Sequence, residues 1–229
     1  MINRLVSMTP VEKKLGWFYW VFQLLVLPVI LVLLNNHFGA PLTETELNLL
    51  FFGLNFLLLV LIFHKFIFHS CKKGILRPFR TLRFALFGFL LYMLCSYLAS
   101  EFLLRQYPDF INLNDDSIFR MLDENYSLTI LGVVVLAPIA EELLYRGLIF
   151  GSVYSHSKLL AYLVSTLVFA AVHVVGYITV YEPLELLLSL LQYLPAGLCL
   201  GWVYARSGSI LTPILAHIAV NQIAISFTR

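Results

Sequence analysis

The stretch SLTILGVVVLAPIAEELLYRGLIF, residues 127–150, decides the fold class of this chain. About 20 mostly apolar residues are enough for a helix to cross the hydrocarbon core of a membrane, and this stretch exceeds that length. Its charged residues are Glu141, Glu142 and Arg146. Charged groups at membrane depth cost about 3 kcal/mol each, so they usually face a protein interior and serve a function. The stretch therefore predicts a membrane helix that carries a polar site.

The composition of the whole chain agrees with a membrane protein. Of its 229 residues, 60% are hydrophobic and only 12% are charged, and the mean hydropathy is +0.88. Soluble domains are about one quarter charged, so a water-soluble fold is excluded. The net charge of +2 is small and its charges are dispersed, which excludes nucleic acid as a partner. The three cysteines are widely spaced and form no metal-type pair.

Apolar segments of spanning length recur along the sequence. They lie at about 17–34, 47–68, 84–104, 127–150, 159–178, 184–204 and 209–227. We therefore expect an all-α fold, a polytopic transmembrane bundle of about seven spanning segments around a polar cavity within the membrane. No repeat or linker divides the chain, so residues 1–229 are expected to form a single membrane domain, with N-terminal helices and a basic cytoplasmic segment in residues 1–126.

The distribution of Lys and Arg residues predicts the orientation, since cytoplasmic connections are enriched in them. With the N-terminus in the cytoplasm, the outer connections hold only Arg105, Arg120 and Arg229. The cytoplasmic pieces hold the others: Arg4, Lys13, Lys14, Lys65, Lys72, Lys73, Arg77, Arg80, Arg83, Arg146, Lys158 and Arg206. The sequence thus predicts a cytoplasmic N-terminus. Residues 69–83 suit either an amphipathic helix on the cytoplasmic leaflet or a plain basic loop.

The acidic pair in the first stretch divides into two roles on a helix. Glu142 and Arg146 are four residues apart and can form an ion pair, while Glu141 is rotated by about 100° from its neighbour. Glu141 is therefore expected to face a cavity as a general base. The alternative is that both glutamates form one ion-pair cluster that holds helices together. Pro138 frees a backbone carbonyl and is expected to kink the helix and open a wet pocket.

Two histidines on later helices have companions at helical spacing. His217 and Asn221 are four residues apart and point into the same space, and His173 shares its face with Phe169, whose ring could exclude water. A single histidine on an apolar helix is more often a packing residue. Two such pairs on different helices favour a shared site.

Depth along the helices tests whether these groups can meet. From the cytoplasmic end, Glu141 lies at about 13 Å, His217 at about 12 Å and Asn221 at about 18 Å. His173 falls at about 22 Å if its helix begins after Lys158. We therefore expect residues 158–163 to follow the interface, or that helix to tilt.

Three motifs carry a family resemblance. EExxxR at Glu141–Arg146, FxxxH at Phe169–His173 and HxxxN at His217–Asn221 closely resemble, in that order, the signature of the CPBP family. This family comprises the CAAX proteases and bacteriocin-processing enzymes, is also called Abi, and includes the type II CAAX prenyl endopeptidases. The resemblance covers about residues 127–226, which would form the catalytic core.

The resemblance implies a glutamate-dependent intramembrane endopeptidase. Glu141 and His173 would activate a water molecule, and His217 with Asn221 would form an oxyanion hole. The supporting residues would be Glu142, Arg146 and Phe169.

Family members are widely labelled metalloproteases, so zinc is an alternative. Glu141, His173 and His217 could bind zinc with water as the fourth ligand. Against this, no HExxH motif is present, Asn221 is a poor zinc ligand, and a coordinated Glu141 could not act as the base. We favour the mechanism without a metal and keep zinc as the alternative.

The resemblance also implies the kind of substrate, a membrane-associated peptide or protein cut near the cytoplasmic face. That substrate would be a prenylated CAAX tail in a eukaryote, or a peptide precursor or membrane protein in a bacterium. Short loops favour a protein of the bacterial plasma membrane, engaged in peptide or bacteriocin processing, self-immunity or membrane regulation. The alternatives are a non-catalytic partner of a sensor kinase or transporter, and a small transporter or proton relay.

Overall fold

The computed structural model describes residues 5–37 and 41–227, so Arg4 and Arg229 of the charge count lie outside the described residues. All regular elements in the described ranges are helical. Ten helices follow in chain order: α1 (Pro10–Leu25), α2 (Leu27–His37), α3 (Glu44–Ile62), α4 (His64–Ile75), α5 (Pro78–Gln106), α6 (Leu113–Glu124), α7 (Tyr126–Tyr154), α8 (Lys158–Val172), α9 (Pro183–Ser207) and α10 (Leu211–Ser226). A 3-10 turn, Val175–Tyr177, follows α8.

By length and composition, five of the described helices can cross a membrane: α3, α5, α7, α8 with the turn that follows it, and α9. The pair α1 and α2 is bent by 46° and would be a sixth span if it crosses as one. The apolar helix α10 is shorter, at 16 residues. Each predicted apolar segment overlaps at least one of these helices, so the predicted all-α polytopic bundle is confirmed. The number of about seven spans stays a prediction.

Of the two alternatives for residues 69–83, an amphipathic helix or a basic loop, the structure has a helix, α4, which begins earlier in the chain. It begins at His64 and ends at Ile75, and α5 follows from Pro78. Ser70 is buried on the inner face of α4 and accepts the backbone N–H of Ile210 at 2.8 Å. This bond ties α4 to the start of α10. Binding of α4 to lipid stays a prediction.

Helix α7 departs from α-helical geometry on both sides of its acidic pair. The segments Ile130–Leu136 and Glu142–Phe150 are π-helical, so backbone N–H groups there reach the carbonyl five residues earlier. Pro138 has no N–H, which leaves the carbonyl of Val133 without a helical donor. The Nδ2 atom of Asn221 donates to that carbonyl at 2.9 Å. The carbonyl freed by Pro138, expected from the sequence, is thus confirmed and bonded by α10.

A dense apolar core fills the bundle on the side of Glu141 that leads to α4. Side chains from α7, α9 and the loop before α10 are completely buried there: Leu148, Phe150, Leu200, Tyr204 and Ile210. We call this end of the bundle, which holds α4 and the starts of α1, α5, α8 and α10, the basic end. The opposite end, which holds α6 and the starts of α3 and α9, is the acidic end.

Helices α8 and α9 approach each other closely at a glycine. A Cβ atom added to Gly197 would lie 2.8 Å from the Cα of Thr166, inside any real contact distance. The absence of a side chain at Gly197 therefore sets how near the two helices lie.

Candidate active site

A cavity of about 440 Å³ lies between the helices on the acidic side of α7. At its inner end, which we call the floor, it is lined by the side chains that the sequence singled out. These are Glu141, Phe169, His173, His217 and Asn221. Helices α7, α8 and α10 therefore bring the predicted site residues together.

The Glu141 carboxylate stands between the two imidazoles. Its Oε2 atom lies 3.9 Å from the Nε2 of His173 and 3.9 Å from the Nε2 of His217. These distances are too long for direct hydrogen bonds. Each distance leaves room for a water oxygen that lies about 2.8 Å from both atoms and bridges them. The Glu141 side chain is 24% exposed, so it can meet a molecule in the cavity.

The ring of His173 is fixed by its backbone and by a stacked neighbour. Its Nδ1 lies 2.7 Å from the carbonyl oxygen of Phe169, which assigns the proton to Nδ1 and directs Nε2 towards Glu141. The ring stacks on Tyr193 at a centroid distance of 4.2 Å. Sequence reasoning missed Tyr193, because an aromatic residue inside an apolar helix gives no signal that separates it from packing residues.

The ring of His217 is held by the second glutamate. Its Nδ1 lies 2.9 Å from the Oε1 of Glu142, and the same oxygen accepts the Nη1 of Arg146 at 3.0 Å. Both Glu142 and Arg146 are completely buried. The predicted ion pair is confirmed, and Glu141 lies apart from it as expected. The bond to His217 was not foreseen, because sequence spacing within one helix carries no information about α10.

The guanidinium of Arg146 is fixed by groups from α8 and α9. Its Nη2 donates to the carbonyl of Ala196 at 3.2 Å. Its carbon lies 4.4 Å from the ring centroid of Phe169, a cation–π contact. Phe169 thus forms part of the cavity wall, as expected, and also covers the charge that orients Glu142.

Asn221 reaches the floor from α10 with one amide hydrogen already in use. Its bond to the carbonyl of Val133 fixes the orientation of the carboxamide. A carboxamide nitrogen carries two hydrogens, so the second can be donated into the cavity. This geometry fits the role expected for Asn221, which stays a prediction.

The mismatch in depth between Glu141 and His173 disappears because α7 is longer than the sequence indicated. The helix ends at Tyr154, so Glu141 lies thirteen residues from its end, or about 20 Å. His173 lies fifteen residues from Lys158, or about 22 Å. Residues 158–163 form the first turns of α8. Whether they follow the interface or α8 tilts stays a prediction.

The positions of the Glu141, His173 and His217 side chains bear on the zinc alternative. Both imidazoles direct Nε2 inwards and bond through Nδ1 to an oxygen, as metal-binding histidines commonly do. Within residues 5–37 and 41–227, however, no three His, Cys, Asp or Glu side chains are grouped closely enough to hold a metal ion. Zinc binding by Glu141, His173 and His217 stays a prediction.

The cavity extends from the floor towards the acidic end. Its outer lining, which we call the mouth, includes Asn48, Ser100, Asn114 and Asp115. Apart from the histidines, the titratable Asp, Glu, Lys and Arg side chains in the described lining are Glu141 and Asp115. The cavity leads towards the acidic end and away from the basic end. Cleavage near the cytoplasmic face, which the family resemblance implies, stays a prediction. Arg146 is also buried at the centre of the bundle, and it does not belong in the cytoplasmic charge count.

Residues 123–223 match the family described as Rce1-like, type II CAAX prenyl endopeptidase. The match includes all three motifs, the whole of α7, α8 and α9, and α10 up to residue 223. No solved structure matches the chain.

Three curated bacterial proteins are similar to part of the chain. "UPF0177 protein YxdF" of Lactococcus lactis is 37% identical over 40% of this chain and 44% of its own length. An "Uncharacterized 24.3 kDa protein" of Escherichia coli is 32% identical over 44% of each. "Putative membrane peptidase YdiL" of Bacillus subtilis is 32% identical over 40% of this chain and 33% of its own length. The chain spans less than half the length of each relative. The resemblance indicated by the three motifs is nevertheless confirmed, since residues 123–223 of this chain are similar to the Rce1-like family.

Proposed function

We propose that the protein is an intramembrane endopeptidase in which Glu141 activates a water molecule. The observation that carries the proposal is the position of the Glu141 carboxylate, 3.9 Å from the Nε2 of both His173 and His217 in a cavity. The match to a prenyl endopeptidase family and the similarity to a protein named as a membrane peptidase support it.

The reaction uses a water held between these three atoms. Glu141 takes one proton from the water, while the Nε2 of His173 accepts the other hydrogen as a hydrogen bond. The water oxygen forms a bond to the carbonyl carbon of the peptide, and the carbonyl oxygen takes the negative charge. The C–N bond then breaks, and Glu141 returns its proton to the leaving nitrogen.

Donors from α10 stabilise the negative oxygen. The free amide hydrogen of Asn221 is one donor, and its carboxamide is already fixed by Val133. His217 is the second donor when both ring nitrogens are protonated, with Glu142 as the counter-ion at Nδ1. Such preorganised donors each contribute about 3 kcal/mol to a transition state.

The lining of the cavity indicates the class of peptide. The described lining contains two carboxylates, Glu141 and Asp115, and no Lys or Arg. A CAAX tail ends in a carboxylate, for which this lining offers no cation. Together with the bacterial relatives, this favours a peptide precursor or membrane protein of a bacterial plasma membrane over a prenylated CAAX tail.

A comparison of peptides from cells tests the proposal. Cells that produce the wild-type chain, Glu141→Gln or the control Glu101→Gln are compared by peptidomics. Glu101 forms only an exposed pair with Arg105 on α5, so its loss leaves the site intact. Peptides that depend on the wild type are expected to vanish with Glu141→Gln and to persist with Glu101→Gln.

Two outcomes contradict the proposal. If Glu141→Gln folds and leaves the peptides unchanged, the chain does not cleave them. If a cellular phenotype also survives that change, the chain acts instead as a non-catalytic partner of another membrane protein.

A further inference from the structure

We infer that substrates reach this site from the face of the membrane opposite the basic end, which is the extracytoplasmic face. The inference rests on the proposed function, and it adds the side of entry and the part of the substrate that is cut. Three independent features of the described residues carry it.

The first feature is the direction of the cavity. From Glu141, the lining follows α6 and the first turns of α3, as shown by Asn48, Asn114 and Ser117. It also includes Ser100, near the last turn of α5. All these positions belong to the acidic end. The cavity therefore leads from the middle of α7 to one end of the bundle.

The second feature is the closed side of the floor. Directly beyond Glu141, the ion pair of Glu142 and Arg146 is completely buried. Further towards the end of α7, Leu148 and Phe150 are also completely buried. These layers leave no space for a peptide between Glu141 and the basic end.

The third feature is the charge of the two ends. The basic end holds ten described Lys and Arg residues, namely Lys13, Lys14, Lys65, Lys72, Lys73, Arg77, Arg80, Arg83, Lys158 and Arg206. The acidic end holds two, Arg105 and Arg120. Because cytoplasmic connections carry the excess of Lys and Arg, the basic end lies in the cytoplasm. The cavity then opens on the other side.

The acidic end also indicates the charge of the substrate. Most acidic residues of the chain lie there: Glu44, Glu46, Glu101, Asp109, Asp115, Asp116, Asp123, Glu124, Glu182 and Glu185. Complementary charge assists the approach of a partner and like charge opposes it. The substrate segment is therefore neutral or basic, and it lies at the outer end of a membrane-associated peptide.

Cysteine labelling in intact cells tests the side of entry. The three native cysteines are replaced by alanine, and single cysteines are placed at the mouth (Asn114→Cys) or at the exposed basic end (Ser155→Cys). A membrane-impermeant maleimide is expected to label Asn114→Cys in intact cells and to label Ser155→Cys only after permeabilisation. Labelling of Ser155→Cys in intact cells overturns the inference, whether or not Asn114→Cys is also labelled.

A second measurement connects labelling to cleavage. Where the wild type yields peptides that depend on Glu141, treatment of intact Asn114→Cys cells with the maleimide is expected to lower those peptides at least tenfold. The same treatment of Ser155→Cys cells is expected to leave them unchanged. Loss of peptides only after permeabilisation overturns the inference. The labelling pattern is measured without any substrate, so a failure of the side of entry is distinguished from a failure of the proposed function.

Discussion

Glu142 is the residue that joins α7 to α10 at the site. One of its oxygens accepts both the Nη1 of Arg146 and the Nδ1 of His217. It is completely buried, so both bonds form where water does not compete. Glu142 therefore orients His217 without itself reaching the floor of the cavity.

The change Glu142→Gln is expected to lower both stability and activity. An amide oxygen can still accept one of the two hydrogen bonds, but Arg146 loses its buried counter-charge, at a cost of about 3 kcal/mol. His217 loses its fixed orientation, so kcat is expected to fall about 10-fold to 100-fold. Thermal unfolding in detergent and peptide cleavage measure the two effects.

The exposed change Glu101→Gln serves as the control for this prediction. It removes a carboxylate on α5 and is expected to alter neither quantity. Full activity of a folded Glu142→Gln protein would show that the bond to His217 has no part in catalysis.

The role of Asn221 is tested by its removal. Asn221→Ala is expected to lower kcat about 100-fold to 1,000-fold with little change in KM, because the donor acts on the transition state. Gln222→Ala is the matched control, since Gln222 is the next residue on α10 and bonds only to Ser226 on the exposed side. A parallel rise in KM with constant kcat would instead assign Asn221 to substrate binding.

At the scale of helices, the sequence predicted the apolar segments that are helical, but neither helix α6 nor how the helices are wound. Charge and apolar length were enough to locate α7. Its π-helical segments and its extension to Tyr154 were not visible, because winding depends on which neighbouring groups bond to the backbone. The bond from Asn221 to Val133 is such a contact.

The same limit applied to the candidate site. The motifs placed every site residue on a face, and the structure brought those faces together. The bond from Glu142 to His217 and the stack of Tyr193 on His173 could not be predicted, since each joins helices far apart in sequence. The division at residue 126 stays a prediction.

The close packing of α8 against α9 predicts a sensitive glycine. Gly197→Ala places a Cβ atom 2.8 Å from the Thr166 backbone and is expected to destabilise the fold by about 1–3 kcal/mol. Gly53→Ala, on α3, meets no atom within 4 Å and is expected to be neutral or slightly stabilising. Unfolding in detergent compares the two variants, and equal stability would show that α8 and α9 can separate freely.

At the scale of the whole molecule, the two ends of the bundle differ in charge and in access. Asp115 faces the cavity at its mouth and is exposed to it, while protein on its other sides raises the pKa of its carboxyl to about 6 by desolvation. Because this pKa is about 6, the carboxyl is mostly neutral below pH 6 and mostly charged above it. The mouth therefore gains a negative charge as the pH rises.

The KM for a basic peptide substrate is expected to depend on this charge. This KM should rise about twofold to fivefold as the pH falls through the pKa of Asp115. Asp115→Asn should show the higher KM at every pH, and a neutral peptide should show no such dependence. Measurements of KM against pH for both peptides check this, and an unchanged pH profile in Asp115→Asn would assign the dependence to another group.

On our proposals, the buried layers between Glu141 and the basic end also separate the catalytic carboxylate from the cell interior. Protons and water molecules can exchange with Glu141 only through the cavity. On our inference, the water that is consumed in cleavage therefore comes from the external medium, as the substrate does. Such an enzyme would also release its products into the same medium.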